Sequence, residues 1–335
     1  MAMPLVSILM PVFNAAPYLE ECLQSIQAQT FVNWELLAVD DGSTDQSWSI
    51  LAKAAAKDHR IRCFANGKQG IIAALRKAYT ESKGQQITRM DADDRMAPQK
   101  LERMTQLLEQ SAVDTVVTGM VEYFAEGTLG AGYRRYAKWL NELGRAGNSF
   151  REIYKECVIP SPCWLVARTT LERCGAFRPN VYPEDYDLCF RFYANGLKHR
   201  MVPEVLHFWR DHGSRASRND PNYADTSFID LKVPWFLKLD YGASRPLVLW
   251  GAGKKGKRIA QLLLKAAIPF RWVCNTERRW GTEVYGMPLE STVIVEELAQ
   301  PKVIIAVAKP EEQAVISKQL AAVELSLGKD FYFFC

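Results

Sequence analysis

The chain opens as an alternation of short apolar runs and amphipathic stretches. Val6-Ser7-Ile8-Leu9-Met10 is nearly continuous in apolar character, as in a strand buried on both faces of a parallel sheet. Pro11-Val12-Phe13-Asn14 ends it. Leu19, Cys22, Leu23 and Ile26 then recur at helical spacing behind Asn14, a candidate cap. Residues 35–39 repeat the strand pattern and run into Asp40-Asp41-Gly42-Ser43-Thr44-Asp45. Ser43 and Gln46 have the spacing of a capping box for a helix carrying Trp48, Leu51 and Ala55 on one face. Residues 61–64 predict a third strand and Asn66-Gly67 a turn. Ile71, Ile72, Leu75 and Tyr79 predict a helix, and residues 86–90 a fourth strand. Leu101, Met104, Leu107 and Leu108 mark another helix before a fifth strand at 114–118. This alternation predicts an α/β fold with a doubly wound, mostly parallel sheet.

The pattern then loosens. Gly127, Gly130 and Gly132 read as loops. Pro160-Ser161-Pro162 turns into a short strand at 164–167, where Trp164 reads as core ahead of a platform for a sugar. A helix opens at Glu184-Asp185 with Leu188, Cys189 and Phe192 apolar, and a strand-like run leads to His207 and His212. Gly242-Ala243-Ser244-Arg245-Pro246 reads as a junction. Beyond it come a strand at 247–250, a G-x-G-x-x-G turn at Gly251, Gly253 and Gly256, and a helix with Ile259, Leu262, Leu263 and Ala266. Further strands at 271–274, 303–308 and 331–334 flank a helix at 310–325. Two domains are expected, 1–240 and 244–335, the second a small Rossmann-like unit.

Composition narrows the partners. The 335 residues are 48% hydrophobic, and 42 Lys and Arg against 38 Asp and Glu leave a net charge of +4, too small to argue for nucleic acid. Arg134, Arg135, Lys138, Arg145 and Arg151 do cluster. A solvated helix face is the plainer reading, and peripheral contact with an anionic membrane is the other. No apolar run reaches spanning length, and residues 1–4 read as entering a strand directly, without a secretory signal. The eight cysteines show no C-x-x-C pair and no zinc spacing, which fits reduced thiols in a cytoplasmic setting.

The chemistry gathers at Asp91-Ala92-Asp93-Asp94. Carboxylates this dense repel one another unless a positive charge sits among them, and Mg²⁺ or Mn²⁺ shared with a diphosphate answers that need. An acidic turn capping the next helix is the bland alternative. In a doubly wound sheet, ligands bind beyond the carboxyl ends of the strands. Asn14, Asp40, Asp41, Asn66 and the 91–94 cluster all follow predicted strand ends, so they should share one rim. No glycine-rich phosphate loop occurs in this half. Carboxylates would bind ribose hydroxyls and a base edge, and a metal the diphosphate. Glu184 and Asp185 are either acids favoured at a helix start or a general-base pair.

Three segments taken together, V-S-I-L-M-P-V-F-N at 6–14, V-D-D-G-S-T-D at 39–45 and D-A-D-D at 91–94, resemble the successive motifs of family 2 glycosyltransferases of the GT-A fold. Residues 244–335 resemble the Rossmann-like domain fused to some bacterial members. The resemblance implies that Pro11, Phe13, Asn14, Asp40 and Asp41 line the nucleotide pocket, with Asn66 on the same rim. It implies that Asp91, Asp93 and Asp94 bind ribose, metal and diphosphate, with His212 in the metal shell. Arg210 or Arg215 would neutralise the leaving diphosphate. Asp185 would be the base and Glu184 would orient the acceptor. Arg76 stands where relatives often carry Asn. The implied activity is metal-dependent, inverting transfer of a sugar from a nucleotide-sugar, a UDP-sugar first, to a hydroxyl of a glycan or lipid-linked acceptor in cell-surface polysaccharide or glycolipid synthesis. A nucleotidyltransferase, which would bring a glycine-rich phosphate loop missing from residues 10–20, and a non-catalytic nucleotide-sugar sensor are the alternatives. In the tail, Cys274-Asn275-Thr276 stands where a dinucleotide site wants an acid. That favours a structural or regulatory role over bound NAD(P).

Overall fold

The computed structural model describes residues 5–223 and 225–335. Residues 1–4, Ala224 and the side chains of Ala216, Ser217 and Asp225 lie outside the described residues, so the expectation for 1–4 does too. The chain forms two compact units. The first runs to Ser149 and resumes over Ile159–Arg215. The second combines Phe150–Val158 with Ala216–Cys335. The division therefore falls at Arg215, ahead of the Gly242–Pro246 junction. A nine-residue stretch shortly before the midpoint of the chain also belongs to the second unit.

In the first unit the order is β1 (Val6–Val12), α1 (Ala16–Gln27), β2 (Trp34–Asp40), α2 (Ser47–Lys57), β3 (Ile61–Ala65), α3 (Ile71–Glu81) and β4 (Gln86–Arg89). Then come β5 (Arg95–Met96), α4 (Lys100–Glu109), β6 (Thr115–Phe124), α5 (Ala131–Arg145), β7 (Trp164–Ala167), α6 (Arg168–Arg173), α7 (Glu184–Ala194) and β8 (Lys198–Arg210). They build one eight-stranded sheet, β3-β2-β1-β4-β7-β6-β8-β5. β1 to β4 are parallel, the apolar runs of β1 and β2 being buried along their whole length, and β6 is parallel to β8. β7 runs antiparallel between β4 and β6, so the fifth predicted strand is not the neighbour of the fourth. Register sets Val12 beside Asp40, Asp40 beside Ala65 and Leu9 beside Arg89, which brings the carboxyl ends of β1 to β4 to one edge.

Several local expectations fail for identifiable reasons. Asn14 does not cap α1; it adopts φ +48° and its side chain turns to the 43–44 loop. Ser43 and Gln46 make no capping box, because Asp45 takes the Ser47 amide instead. Trp48 lies outside the core, 42% exposed. Gly132 sits inside α5 rather than in a loop. Trp164 is core, 2% exposed and edge-on to Phe192.

The second unit contains α8 (Ala216–Asn219), α9 (Asp225–Leu239), β9 (Leu247–Trp250), α10 (Lys254–Lys265), β10 (Arg271–Val273), β11 (Glu283–Val284), β12 (Met287–Glu290), α11 (Ile294–Glu297), β13 (Lys302–Ile305), α12 (Pro310–Ala322) and β14 (Phe331–Phe333). Its sheet order is β11-β12-β10-β9-β13-β14, all parallel except β11. Phe150–Val158 is part of this core. Tyr154, 1% exposed, stacks on Phe334 at 5.2 Å and donates to Asp240 Oδ2 at 2.6 Å. No helix among the described residues is long and apolar enough to cross a membrane, and among the described residues no two cysteines form a disulfide.

Candidate active site

The rim at the ends of β1 to β3 is built by carboxylates that organise backbone. Asp40 Oδ2 accepts the amides of Gly42 (3.2 Å) and Ser43 (3.1 Å), shaping the turn after β2. Its Oδ1 is buried with no hydrogen-bond partner among the described residues. Asp41 is committed: Oδ1 takes Asn66 Nδ2 and the Gln69 amide, and Oδ2 takes the Gly70 amide, all at 2.7–2.8 Å. Asn14 is tied to the same turn, its amide donating to Ser43 Oγ and its Oδ1 accepting from the Thr44 amide. Pro11 is buried within β1, whereas Phe13 stands 50% exposed on the rim. Arg76 is elsewhere engaged, donating to the Phe177 carbonyl.

Asp91, Asp93 and Asp94 divide into different environments. Asp91 Oδ1 accepts Arg89 Nε at 2.9 Å. Burial raises its carboxyl, Arg89 opposes that and Asp93 adds to it. Asp93 Oδ2 lies 2.8 Å from His212 Nε2, whose ring packs 4.5 Å from Tyr18. Burial works against the Asp93 charge, yet the His212 hydrogen bond and Arg215 hold its carboxyl below the usual range. Burial likewise works against Arg215, but Asp94, Tyr123, Asp93 and Asp91 keep it firmly cationic. Arg210 donates through Nε to the Asp93 carbonyl and pairs with Glu21. A cavity of about 200 Å³ opens beside them, walled by Tyr18, Glu126, Arg210 and His212 among others.

Asp94 departs from the expected ligand set. It is fully buried; Oδ1 accepts the Arg210 amide at 2.8 Å and Oδ2 meets His207 Nε2 at 2.9 Å. His207 Nδ1 lies 3.1 Å from Nζ of Lys100, itself 0% exposed and donating to the Pro162 carbonyl. Burial, with Lys100 and Arg215, holds the His207 imidazole well below its usual range, hence neutral. An ammonium only donates, so Nδ1 accepts and Nε2–H faces Asp94. Asp94 thus fastens the acidic turn to β8 and has both oxygens engaged. Neither Lys100 nor His207 carries any local sequence signal, since only the fold brings them within reach of Asp94.

Across the cluster, Glu184 and Asp185 open α7. Glu184 Oε1 accepts Arg89 Nη1 at 2.9 Å in a pair 6% and 7% exposed. Asp185 is partly exposed, and one of its oxygens accepts the Tyr186 amide. Burial, then the charge of Glu184, push its carboxyl up to about 7, with Arg89 opposing. That suits a group that must take a proton near neutral pH.

Among the described residues no three His, Cys, Asp or Glu side chains stand so as to hold a metal ion by themselves. Mg²⁺ and Mn²⁺ sites of the phosphate type do not need such a cage; one or two carboxylates and the substrate's own oxygens suffice. Asp91 and Asp93 meet that demand. In the second unit, Gly251 adopts φ +117° and a Cβ on Gly256 would stand 2.0 Å from the Gly251 carbonyl oxygen, so these glycines serve close packing of α10 on β9. Trp272 Nε1 donates to the Gly251 carbonyl and Arg279 to that of Ala252. Asn275, where a ribose acid would stand, accepts Trp250 Nε1 at 2.7 Å.

The family profile described as glycosyl transferase family 2 matches residues 7–175, half of the chain, and stops short of Asp185 and His212. An uncharacterised glycosyltransferase of Haemophilus influenzae is 28% identical over 225 residues, 64% of this chain and 68% of that relative. In two other relatives the aligned stretch covers less than half of their length. Among solved structures, S. aureus TarS in complex with UDP-GlcNAc superposes with a TM-score of 0.55 at 17% identity, over 77% of this chain and 71% of that one. A mannosyltransferase from Pyrobaculum calidifontis in complex with GDP-Man and Mn²⁺ gives 0.53 at 20% identity, over 71% and 64%. At such identities the likeness is one of fold: the first unit has the GT-A-like α/β architecture, with its large, mostly parallel sheet.

Proposed function

The chain belongs to glycosyl transferase family 2, and on that premise we propose that it transfers a sugar from a nucleoside-diphosphate sugar to an acceptor hydroxyl with inversion. The observation that carries this reading is Asp185. It is a partly exposed carboxyl raised to about 7, close enough to Asp91 to feel its charge. As the acceptor oxygen attacks the anomeric carbon, Asp185 takes its proton. The bond from that carbon to the diphosphate oxygen breaks, and the electron pair leaves with the nucleotide. One in-line displacement reverses the anomeric configuration. Asp91 and Asp93, with His212 beside them, would hold Mn²⁺ or Mg²⁺ against the diphosphate; that cation supplies neutralisation of the departing charge. Arg210 and Arg215 add fixed positive charge on the same side. Asp94 acts as a support for this loop rather than a ligand.

The donor reading starts from Asp40. A buried, unpartnered carboxylate oxygen asks for a donor, and the ring N–H of uracil or guanine supplies one, as would the exocyclic amine of cytosine or adenine. UDP-sugars come first because a fold neighbour carries UDP-GlcNAc. GDP-sugars are the second choice. Glycan or lipid-linked hydroxyls are the acceptor class we infer, in cell-surface polysaccharide or glycolipid synthesis. The second unit reads as a Rossmann-like structural or regulatory domain without bound NAD(P), because its glycine turn and Asn275 are engaged internally. The test is a thermal-shift panel of nucleotide-sugars and NAD(P) with and without Mn²⁺, followed by NMR of the product linkage. A Mn²⁺-dependent shift with one UDP- or GDP-sugar and an inverted product are expected. A metal-independent shift with NAD(P) alone, or an α product from an α donor, would overturn the reading.

A further inference from the structure

Between the two halves of the site stands a residue that the mechanism above does not use. Arg89 ends β4 and is 5% exposed. Its Nε donates to Asp91 Oδ1 and its Nη1 to Glu184 Oε1, both at 2.9 Å. One planar guanidinium is therefore shared by the carboxylate assigned to the metal and diphosphate and by the immediate neighbour of the assigned base. The fork of Arg fixes both directions at once, which the single point charge of Lys does not. We propose that Arg89 is a positioning residue that couples occupation of the donor site to the geometry of the Glu184–Asp185 pair. This inference rests on the roles of Asp91 and Asp185 proposed above.

The physical argument is competition for one cation. Without donor, Asp91 and Glu184 divide the guanidinium charge. When Asp91 turns its charge to a metal and a diphosphate, its hold on the guanidinium weakens, Arg89 settles closer to Glu184, and the field at the neighbouring Asp185 becomes more positive. An opposite charge at this range favours the ionised form of a carboxyl, the form that accepts a proton. The base is then readied by donor binding. Burial strengthens the effect, because all three groups are largely withdrawn from water, with side chains 7% (Arg89), 23% (Asp91) and 6% (Glu184) exposed.

Linkage gives a test that needs no acceptor. Titration calorimetry of UDP and GDP with Mn²⁺ is run on the full chain, on Glu184→Gln, on Arg89→Gln and on the double variant. Glu184→Gln removes the negative charge that faces Arg89 Nη1 and should change nucleotide affinity by about threefold or more in the native background. With Arg89 already Gln, the same change should have almost no effect. Equal effects in both backgrounds would overturn the coupling. Carboxyl NMR titration of Asp185 provides a second readout that needs no ligand. Its midpoint should rise by about one pH unit in Arg89→Gln and return toward the native value in Arg89→Lys. An unmoved midpoint in folded Arg89→Gln would also overturn the proposal. If neither UDP nor GDP binds the native chain, the donor reading fails instead, and the Asp185 titration still decides the role of Arg89.

Discussion

Asp185 and Asp94 show how one residue type takes opposite tasks at a distance of a few side chains. Asp185 keeps contact with solvent and is raised to about 7 by burial and by Glu184. Its base form therefore grows as pH rises. kcat/KM should climb from pH 6 and level off above about 7. Asp185→Asn should lose about 10²- to 10⁴-fold in kcat while still binding nucleotide. Stability moves the other way. A carboxyl raised from 3.8 in the unfolded chain to about 7 in the fold contributes stability that is fully present below pH 3.8 and lost as pH rises through 7. Asp185→Asn should accordingly raise Tm at pH 8 by a few degrees and leave it unchanged at pH 4, which scanning calorimetry reads directly. Asp94 is sealed from water and wedged between His207 and the Arg210 amide. Asp94→Ala should cost about 1–3 kcal/mol in urea unfolding, because it leaves the buried His207 N–H and the Arg210 amide without their acceptor, rather than only weakening metal binding. The sequence could not separate these roles. D-A-D-D announces charge density, but which carboxylate faces the rim depends on His207 and Lys100, from elements far apart in the chain.

Among the elements, the strands were the legible part. Runs such as Leu36-Leu37-Ala38-Val39 have no polar face to offer, so they must lie inside a parallel sheet, and they do. Loop chemistry was less readable, because Asn14, Ser43 and Asp45 each have several backbone partners within reach. The tertiary turn claims Asn14 and Ser43, while Asp45 is divided between the Ser47 amide at the start of α2 and the Ala16 amide at the start of α1. β7 was placed as a strand, yet its antiparallel insertion beside β4 had no signature in its own four residues. The glycine turn before α10 was read as a motif, and the structure explains it as packing. Gly256→Ala brings a methyl against a backbone oxygen that cannot move aside. It should destabilise the second unit by about 1–3 kcal/mol, measured by denaturant unfolding of the full chain.

At the scale of the whole molecule, the division at Arg215 and the detour of Phe150–Val158 alter how the protein can be cut. A boundary at 240 was a reasonable inference from Gly242 and Pro246, since composition shifts there. It misses that α9 and residues 150–158 carry apolar side chains, Phe236 and Tyr154 among them, buried within the second unit. A chain shortened to end at Tyr241 should therefore not behave as a free-standing transferase. Limited proteolysis should cleave it within 150–158, where the full chain resists, and its thermal transition should broaden. Resistance equal to that of the full chain would contradict the division.

The embedded stretch also sets an order of events in time. Tyr154 leaves the ribosome about 180 residues before Phe334, the ring it stacks on, which at ~5–20 residues per second is a wait of roughly 10–40 s. Through that interval Ile153 and Tyr154 are apolar surface without a core to enter, in the middle of a polypeptide whose first four strands can already pair. Newly made chains should thus present a binding site for holdase chaperones at 150–158, and slow stretches of translation after residue 215 should lower the yield of native protein more than equal pauses before residue 149.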